Sequence, residues 1–201
     1  MTLTRYHHRA KSAAPGAPLV FVFHGTGGDE NQFFGLIDRM LPQAGIIAPR
    51  GDVSEHGANR FFRRTAEGVY DMADLAVRTS AMAGFIAAHR AATPGVPVYG
   101  LGYSNGANIL ASVLFQAPEL FDRVALLHPL IPFQPPAQPG LARLSVLVTA
   151  GRHDPICPLP LTQALVDALR AQGAVVDLAL HSGGHEIRPE ELDRVALAFA
   201  G

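Results

Sequence analysis

The sequence predicts an α/β fold: a mostly parallel central sheet with helices on both faces. Three observations carry that expectation. Short continuous apolar runs alternate with longer amphipathic stretches along the whole chain. The runs Leu19-Val20-Phe21-Val22-Phe23 and Ser145-Val146-Leu147-Val148-Thr149 lack the polar alternation of a half-solvated strand, as strands covered on both faces do. Finally, Gly102-Tyr103-Ser104-Asn105-Gly106 lies between an apolar run and a helix-like one, which sets G-x-S-x-G in a strand–turn–helix context.

Taken in order, residues 19–23 form a strand, residues 31–40 a helix and residues 45–48 a second short strand. Residues 74–90 read as a long helix because Leu75, Met82, Phe85 and Ile86 fall on one face. A strand over 96–101, a helix over 105–117 and a strand over 124–127 follow. After the strand 145–149, residues 159–172 form a helix ended by Gly173. Residues 175–181 are the last strand and residues 190–200 the closing helix. Between His128 and Gly140, Pro129, Pro132, Pro135, Pro136 and Pro139 forbid a regular helix, leaving a stiff loop over the sheet edge. That loop is too short for a separate lid domain, so a shallow or open site is expected. No repeat or linker divides the chain, giving one domain over residues 1–201.

At 201 residues and 48% hydrophobic content, the chain can bury a core of its own. The net charge is -1 and basic residues are scattered, the densest cluster (Arg60 to Arg64) holding only three arginines. Nucleic acid is therefore excluded as a partner. Cys157 is the sole cysteine, so neither an intrachain disulfide nor a cysteine zinc cage can form. The opening residues Met1 to His8 lack the apolar core of an export signal, and no run approaches membrane-spanning length. The expectation is a cytoplasmic protein without membrane insertion.

A serine hydroxyl is a poor nucleophile near neutral pH and needs a base, which in turn needs a carboxylate to orient it. In the chain order Ser…Asp…His, Ser104, Asp154 and His185 fill these roles. Asp154 follows the strand 145–149, and Pro155 biases its backbone toward an extended form that holds the carboxylate at the strand's end. His185 follows the last strand in Ser182-Gly183-Gly184-His185, a loop able to double back toward Ser104. His181 and His185 are also four apart, but Ser-Gly-Gly is a poor helix interior, so no metal is expected there. An oxyanion needs preorganised donors. The N–H of Asn105 supplies one and the N–H of Thr26, in His24-Gly25-Thr26-Gly27-Gly28, is the expected second. His24 reads as structural rather than as a second base. Phe61 and Phe62 read equally as walls of a substrate pocket or as a buried strand edge. Arg60, Arg63 and Arg64 read as ion-paired or solvated, and Cys157 as a small buried side chain rather than an oxidant sensor.

The set His24 to Gly28, Gly102 to Asn108, Asp154-Pro155 and Gly184-His185 resembles the phospholipase/carboxylesterase branch of the α/β-hydrolase superfamily. The segments Pro49 to Asp52, Arg60 to Arg64 and Gly68 to Asp71 are similar to the bacterial carboxylesterases known as hydroquinone- or quinone-response hydrolases. The resemblance covers nearly the whole chain. It implies the α/β-hydrolase fold and a cofactor-free serine esterase with Ser104 as nucleophile, His185 as acid and base, Asp154 as its orienter, and Thr26 and Asn105 as oxyanion donors. A small-molecule ester is the implied partner, and a homodimer is left open. A thioesterase or lysophospholipase with the same triad is the rival enzyme reading, though the acyl-protein thioesterases usually carry Leu and Gln where this chain has Thr26 and Asn105. A ligand-binding homologue without catalysis is the remaining alternative, because fold alone does not establish chemistry.

Overall fold

Alternating side chains on the strands decide which helix covers which face of the sheet. The computed structural model describes residues 2–142 and 144–200. The chain begins with β1 (His8–Lys11), β2 (Leu19–Phe23), α1 (Phe34–Met40) and β3 (Gly45–Pro49). Two small hairpins follow, β4 (Val53–Glu55) with β5 (Ala58–Arg60) and β6 (Arg64–Ala66) with β7 (Val69–Tyr70). The second half runs α2 (Met72–Ala92), β8 (Val98–Tyr103), α3 (Asn105–Gln116), β9 (Arg123–Leu127) and β10 (Ser145–Gly151). It closes with α4 (Leu159–Ala171), β11 (Val175–His181) and α5 (Pro189–Ala200).

The main sheet has seven strands in the order β1-β3-β2-β8-β9-β10-β11. All its pairings are parallel except β1 with β3. Phe21 and Phe23 of β2 point into one core with α2, α3 and α4, whereas Val20 and Val22 point into a second core with α1 and α5. This period of two, read on a strand buried throughout, is why β2 is apolar at every position. Among the described residues no lid domain stands over the sheet, and no helix is long and apolar enough to cross a membrane.

Several boundaries move for local reasons. Helix α1 starts at Phe34 rather than residue 31, because Asp29 Oδ1 accepts the Asn31 N–H and Gln32 Oε1 accepts the Gly25 N–H. Helix α2 starts at Met72 because Asp71 caps it through the Asp74 N–H. Strand β8 begins after Pro97, which has no N–H for a ladder. The stretch 128–140 is irregular, as its prolines require, with a short 3-10 turn at Pro139–Leu141.

The strand order reverses between β2 and β8, since β3 lies outside the first and β9 outside the second. The carboxyl ends flanking this reversal form the crevice where such sheets bind ligands. The loop after β2 is pinned there by Glu30, whose carboxylate receives two hydrogen bonds of 2.6 Å from Arg50. Hydrogen bonding from Arg50 outweighs burial and holds the Glu30 carboxyl down at about 2. Such a depressed carboxyl stabilises the fold above its unfolded value and loses that contribution as pH falls toward 2. Glu30→Gln is expected to unfold more readily than wild type at neutral pH, with the difference vanishing between about pH 5 and pH 2. Thermal unfolding across a pH series checks this, and a difference constant down to pH 2 would refute it.

Candidate active site

Ser104 sits on the turn between β8 and α3 with φ 52° and ψ -118°, a conformation that costs an L residue on the order of 1–3 kcal/mol. The strain is held by the Ser104 N–H donating to the Leu127 carbonyl (2.9 Å) and by the first helical bond from Asn108 to the Ser104 carbonyl (2.9 Å). Gly106 makes the turn feasible, since a Cβ there would overlap the carbonyl oxygens of Phe23 and His24. The hydroxyl Oγ lies 2.9 Å from His185 Nε2, and His185 Nδ1 lies 2.7 Å from Asp154 Oδ2. Residues 50 and 31 positions apart in sequence from Ser104 to Asp154 and on to His185 thus meet at one rim of the sheet.

Two loops are fastened together to achieve this. The N–H of Arg152 donates to the His181 carbonyl and that of His153 to the Gly183 carbonyl, both at 2.9 Å. A Cβ on Gly151 would overlap the Gly184 carbonyl, so this approach requires glycine. Asp154 Oδ1 accepts the N–H groups of Ile156 and Cys157 at 2.8 Å each, the Asx turn that precedes α4. Burial works to raise the Asp154 carboxyl, but the Cys157 N–H and the imidazoles of His128 and His185 prevail and hold it below the usual carboxylate range. The Tyr103 hydroxyl donates to the His185 carbonyl at 2.7 Å and its ring lies 5.3 Å from the imidazole.

Thr26 and Asn105 flank Ser104 in a cleft of about 250 Å³. Neither of their backbone N–H groups has a partner among the described residues, so both are free to receive an anion. Asn105 lies at the first turn of α3, where unpaired N–H groups and the helix dipole favour negative charge. Of its side chain, Oδ1 accepts the Phe61 N–H at 2.7 Å, while the buried Nδ2 has no partner among the described residues. His24 is structural: Nδ1 donates to the Gly25 carbonyl (2.7 Å), Nε2 accepts the Gly51 N–H (2.9 Å), and burial lowers its pKa.

One expectation is corrected. Phe61 and Phe62 do not line the cleft; they are 2% and 0% exposed and belong to the main core. The Phe61 ring packs against Phe23 and His24, and Phe62 against Tyr70. Their neighbours Arg60 and Arg64 reach the cleft instead, and both pair with Glu55, at 3.3 and 3.0 Å. Tyr70, Leu130, Ile156 and Cys157 supply the apolar wall. The sequence reading also missed His128, which places Nδ1 2.9 Å from the same Asp154 oxygen that His185 uses. The available signal was His128-Pro129 directly after the strand 124–127, the pattern that marked Asp154-Pro155.

The sheet, its strand order and a serine on a strained strand-to-helix turn define an α/β-hydrolase. The model of the dienelactone hydrolase family matches residues 4–187, and the chain belongs to that family. It is 37% identical over 178 residues to MhqD of Bacillus subtilis (strain 168), covering 88% of this chain and 89% of that one. Among solved structures it is similar to the protein Atu2452 of Agrobacterium tumefaciens str. C58, with 56% identity, a TM-score of 0.93, and 100% and 98% of the two chains covered. It is also similar to the Bacillus cereus carboxylesterase, at 30% identity and a TM-score of 0.90, covering 98% of this chain and 94% of the other. These relationships place the chain among the carboxylic ester hydrolases.

The burial of Phe62 generates a test. Phe62→Ala should lower stability to denaturant by about 3–5 kcal/mol while leaving KM for a small ester within about twofold. A large KM change without loss of stability would return Phe62 to the substrate pocket.

Proposed function

We propose that the protein is a serine carboxylesterase that hydrolyses small esters, with short acyl or aryl groups, through an acyl-enzyme. The observation that supports this most is the unbroken relay of 2.9 and 2.7 Å from Ser104 through His185 to Asp154. In this reading His185 Nε2 takes the Ser104 proton as Oγ attacks the ester carbonyl carbon. The N–H groups of Thr26 and Asn105 receive the oxyanion. The C–O bond to the leaving alcohol then breaks as His185 returns the proton to that oxygen, leaving the acyl group on Ser104. Water then gives a proton to His185 as its oxygen adds to the acyl carbon; the bond from that carbon to Ser104 Oγ breaks as His185 returns the proton to Oγ, and the acid departs. Asp154 keeps the Nδ1–H tautomer and stabilises the imidazolium formed in each half.

The small cleft favours short chains, since a long lipid tail would lie outside it. The pairing of Arg60 and Arg64 with Glu55 leaves neither guanidinium dedicated to a substrate charge. A series of nitrophenyl esters of increasing acyl length should show turnover falling with length. Faster cleavage of long-chain thioesters or lysolipids would favour the thioesterase or lysophospholipase alternative.

Ser104→Ala is expected to fold normally and to lose roughly four to six orders of magnitude in turnover. It should also lose covalent labelling by a fluorophosphonate. Equal activity in this variant would overturn the assignment. Asp154→Asn should lower turnover about ten-thousandfold, because the amide selects the wrong imidazole tautomer; unaltered turnover would identify another carboxylate as the orienter.

A further inference from the structure

Behind the cleft lies a buried cluster that the proposed reaction does not use: His128 after β9, His181 at the end of β11, and Glu191 in α5. His128 is fully buried, and its two ring nitrogens face two different carboxylates. Nδ1 is 2.9 Å from Asp154 Oδ2 and Nε2 is 3.1 Å from Glu191 Oε1. We propose that His128 is a positioning residue: an imidazolium bridging Asp154 and Glu191 that sets how strongly Asp154 accepts from His185. This inference rests on the reading of Ser104, His185 and Asp154 given above.

The proton inventory follows from the neighbours. His181 Nδ1 accepts the Gly183 N–H at 3.0 Å, so the His181 proton resides on Nε2, 3.3 Å from Glu191 Oε2. Glu191 Oε2 also accepts the Arg188 N–H at 2.7 Å. His181 Nε2 also lies 3.4 Å from His128 Nε2, so a neutral His128 with its proton on Nδ1 would accept there, but its bare Nε2 would still face the closer Glu191 Oε1 at 3.1 Å, lone pair against lone pair. Protonation of both nitrogens removes that repulsion and gives Glu191 Oε1, which has no aligned hydrogen bond, a cation in contact. Burial opposes charge on His128, but Glu191 and Asp154 outweigh it and raise its pKa. Burial likewise opposes charge on Glu191, and contact with His128 again prevails.

A metal ion is the competing explanation, because ligand atoms of His128, His181 and Glu191 all lie within 4.8 Å of one another. Ligation through His181 Nε2 would need a bare nitrogen there, with the proton moved to Nδ1. The Gly183 N–H occupies that position as a donor. The cluster therefore binds protons rather than a cation.

The consequence reaches the cleft through one oxygen. Asp154 Oδ2 serves both His128 and His185, so a cation on one side weakens its attraction for a cation on the other. The groups facing His128 are Asp154, Glu191, His181, His185 with its ring 5.2 Å away, and Tyr103 at 5.9 Å. The backbone of His128 is held at φ +49°, a conformation that L residues rarely adopt, with its N–H on the Thr149 carbonyl at 2.9 Å.

The test is the pH dependence of kcat/KM on a short nitrophenyl ester for wild type, His128→Gln and Glu191→Gln. The first variant removes the cation. The second removes the carboxylate that sustains it while keeping the His128–Asp154 contact. Both are expected to move the acid limb upward by about one unit. His128→Gln should also lower kcat by roughly tenfold to hundredfold with KM little altered, because its side chain is absent from the cleft wall. Variants that lose stability and kcat while the acid limb stays in place would overturn the proposal, since a purely structural role does just that. Should neither variant fold, nitrogen NMR of wild type decides, with His128 assigned by its contact to the Tyr103 ring. Two protonated ring nitrogens from pH 6 to pH 8 support the proposal and one bare nitrogen refutes it. Fluorophosphonate labelling separates the two levels of inference. Labelled wild type with an unmoved acid limb rejects only the role of His128, whereas unlabelled wild type rejects the triad and this inference with it.

Discussion

The arrangement of the site depends on how the two oxygens of Asp154 are occupied. A buried carboxylate must have its lone pairs satisfied or lose its charge. Here Oδ1 is taken by two backbone N–H groups of the turn that begins at Asp154 itself, and Oδ2 by two imidazoles from other parts of the chain. The local turn fixes the rotation of the carboxylate, which leaves Oδ2 only one direction to face. His185 and His128 are both built around that direction. Because Oδ1 is satisfied within four residues of sequence, the geometry of the acid does not depend on a bound substrate.

Fold topology supplies the remaining placement. The reversal of strand order brings the ends of β2 and β8 side by side, so the Thr26 loop and the Ser104 turn approach without a long connection. The approach is so close that only glycine at position 106 avoids the backbone of Phe23 and His24. On the other side, parallel pairing of β10 with β11 in register from Ser145 with Val175 to Gly151 with His181 sends both following loops off the same edge. The pair β10 and β11 carries the loops of Asp154 and His185, and β8, separated from it by β9, carries Ser104.

Much of this was legible in the sequence, and the exceptions have physical causes. Buried strands announce themselves because neither face tolerates polar residues, so β2 and β10 stood out at once. Strand β1 did not, since it is an edge strand with solvent on much of its surface and His-Arg-Ala-Lys has no apolar pattern. The hairpins of residues 53–70 are two to three residues per strand, too short for any period to register. Ser104, Asp154 and His185 could be singled out because each sits in a local motif whose geometry is intelligible on its own. Phe61 and Phe62 were ambiguous because flanking arginines suggest exposure, whereas Arg60 is itself buried and paired with Glu55. His128 and Glu191 were missed because their chemistry is a relation between strand end and helix that no spacing records.

In the proposed mechanism the same carboxylate also bears on the choice between two side chains that share the cleft. Cys157 lines it beside Ser104, and a thiol is intrinsically the better nucleophile once ionised. Ionisation is what its surroundings prevent. Burial pushes the thiol pKa far up, and the negative charge of Asp154, three residues away, pushes in the same direction. Ser104 stands at the opposite end of the relay, where Asp154 acts through an imidazole that accepts a proton, so the same charge promotes its attack. Burial, with the charge of Asp154 adding to it, silences the sulfur, and in the proposed mechanism contact with that charge through one histidine activates the oxygen. In the proposed mechanism, the choice of serine over cysteine follows from the burial of the thiol and from how each group meets the charge of Asp154.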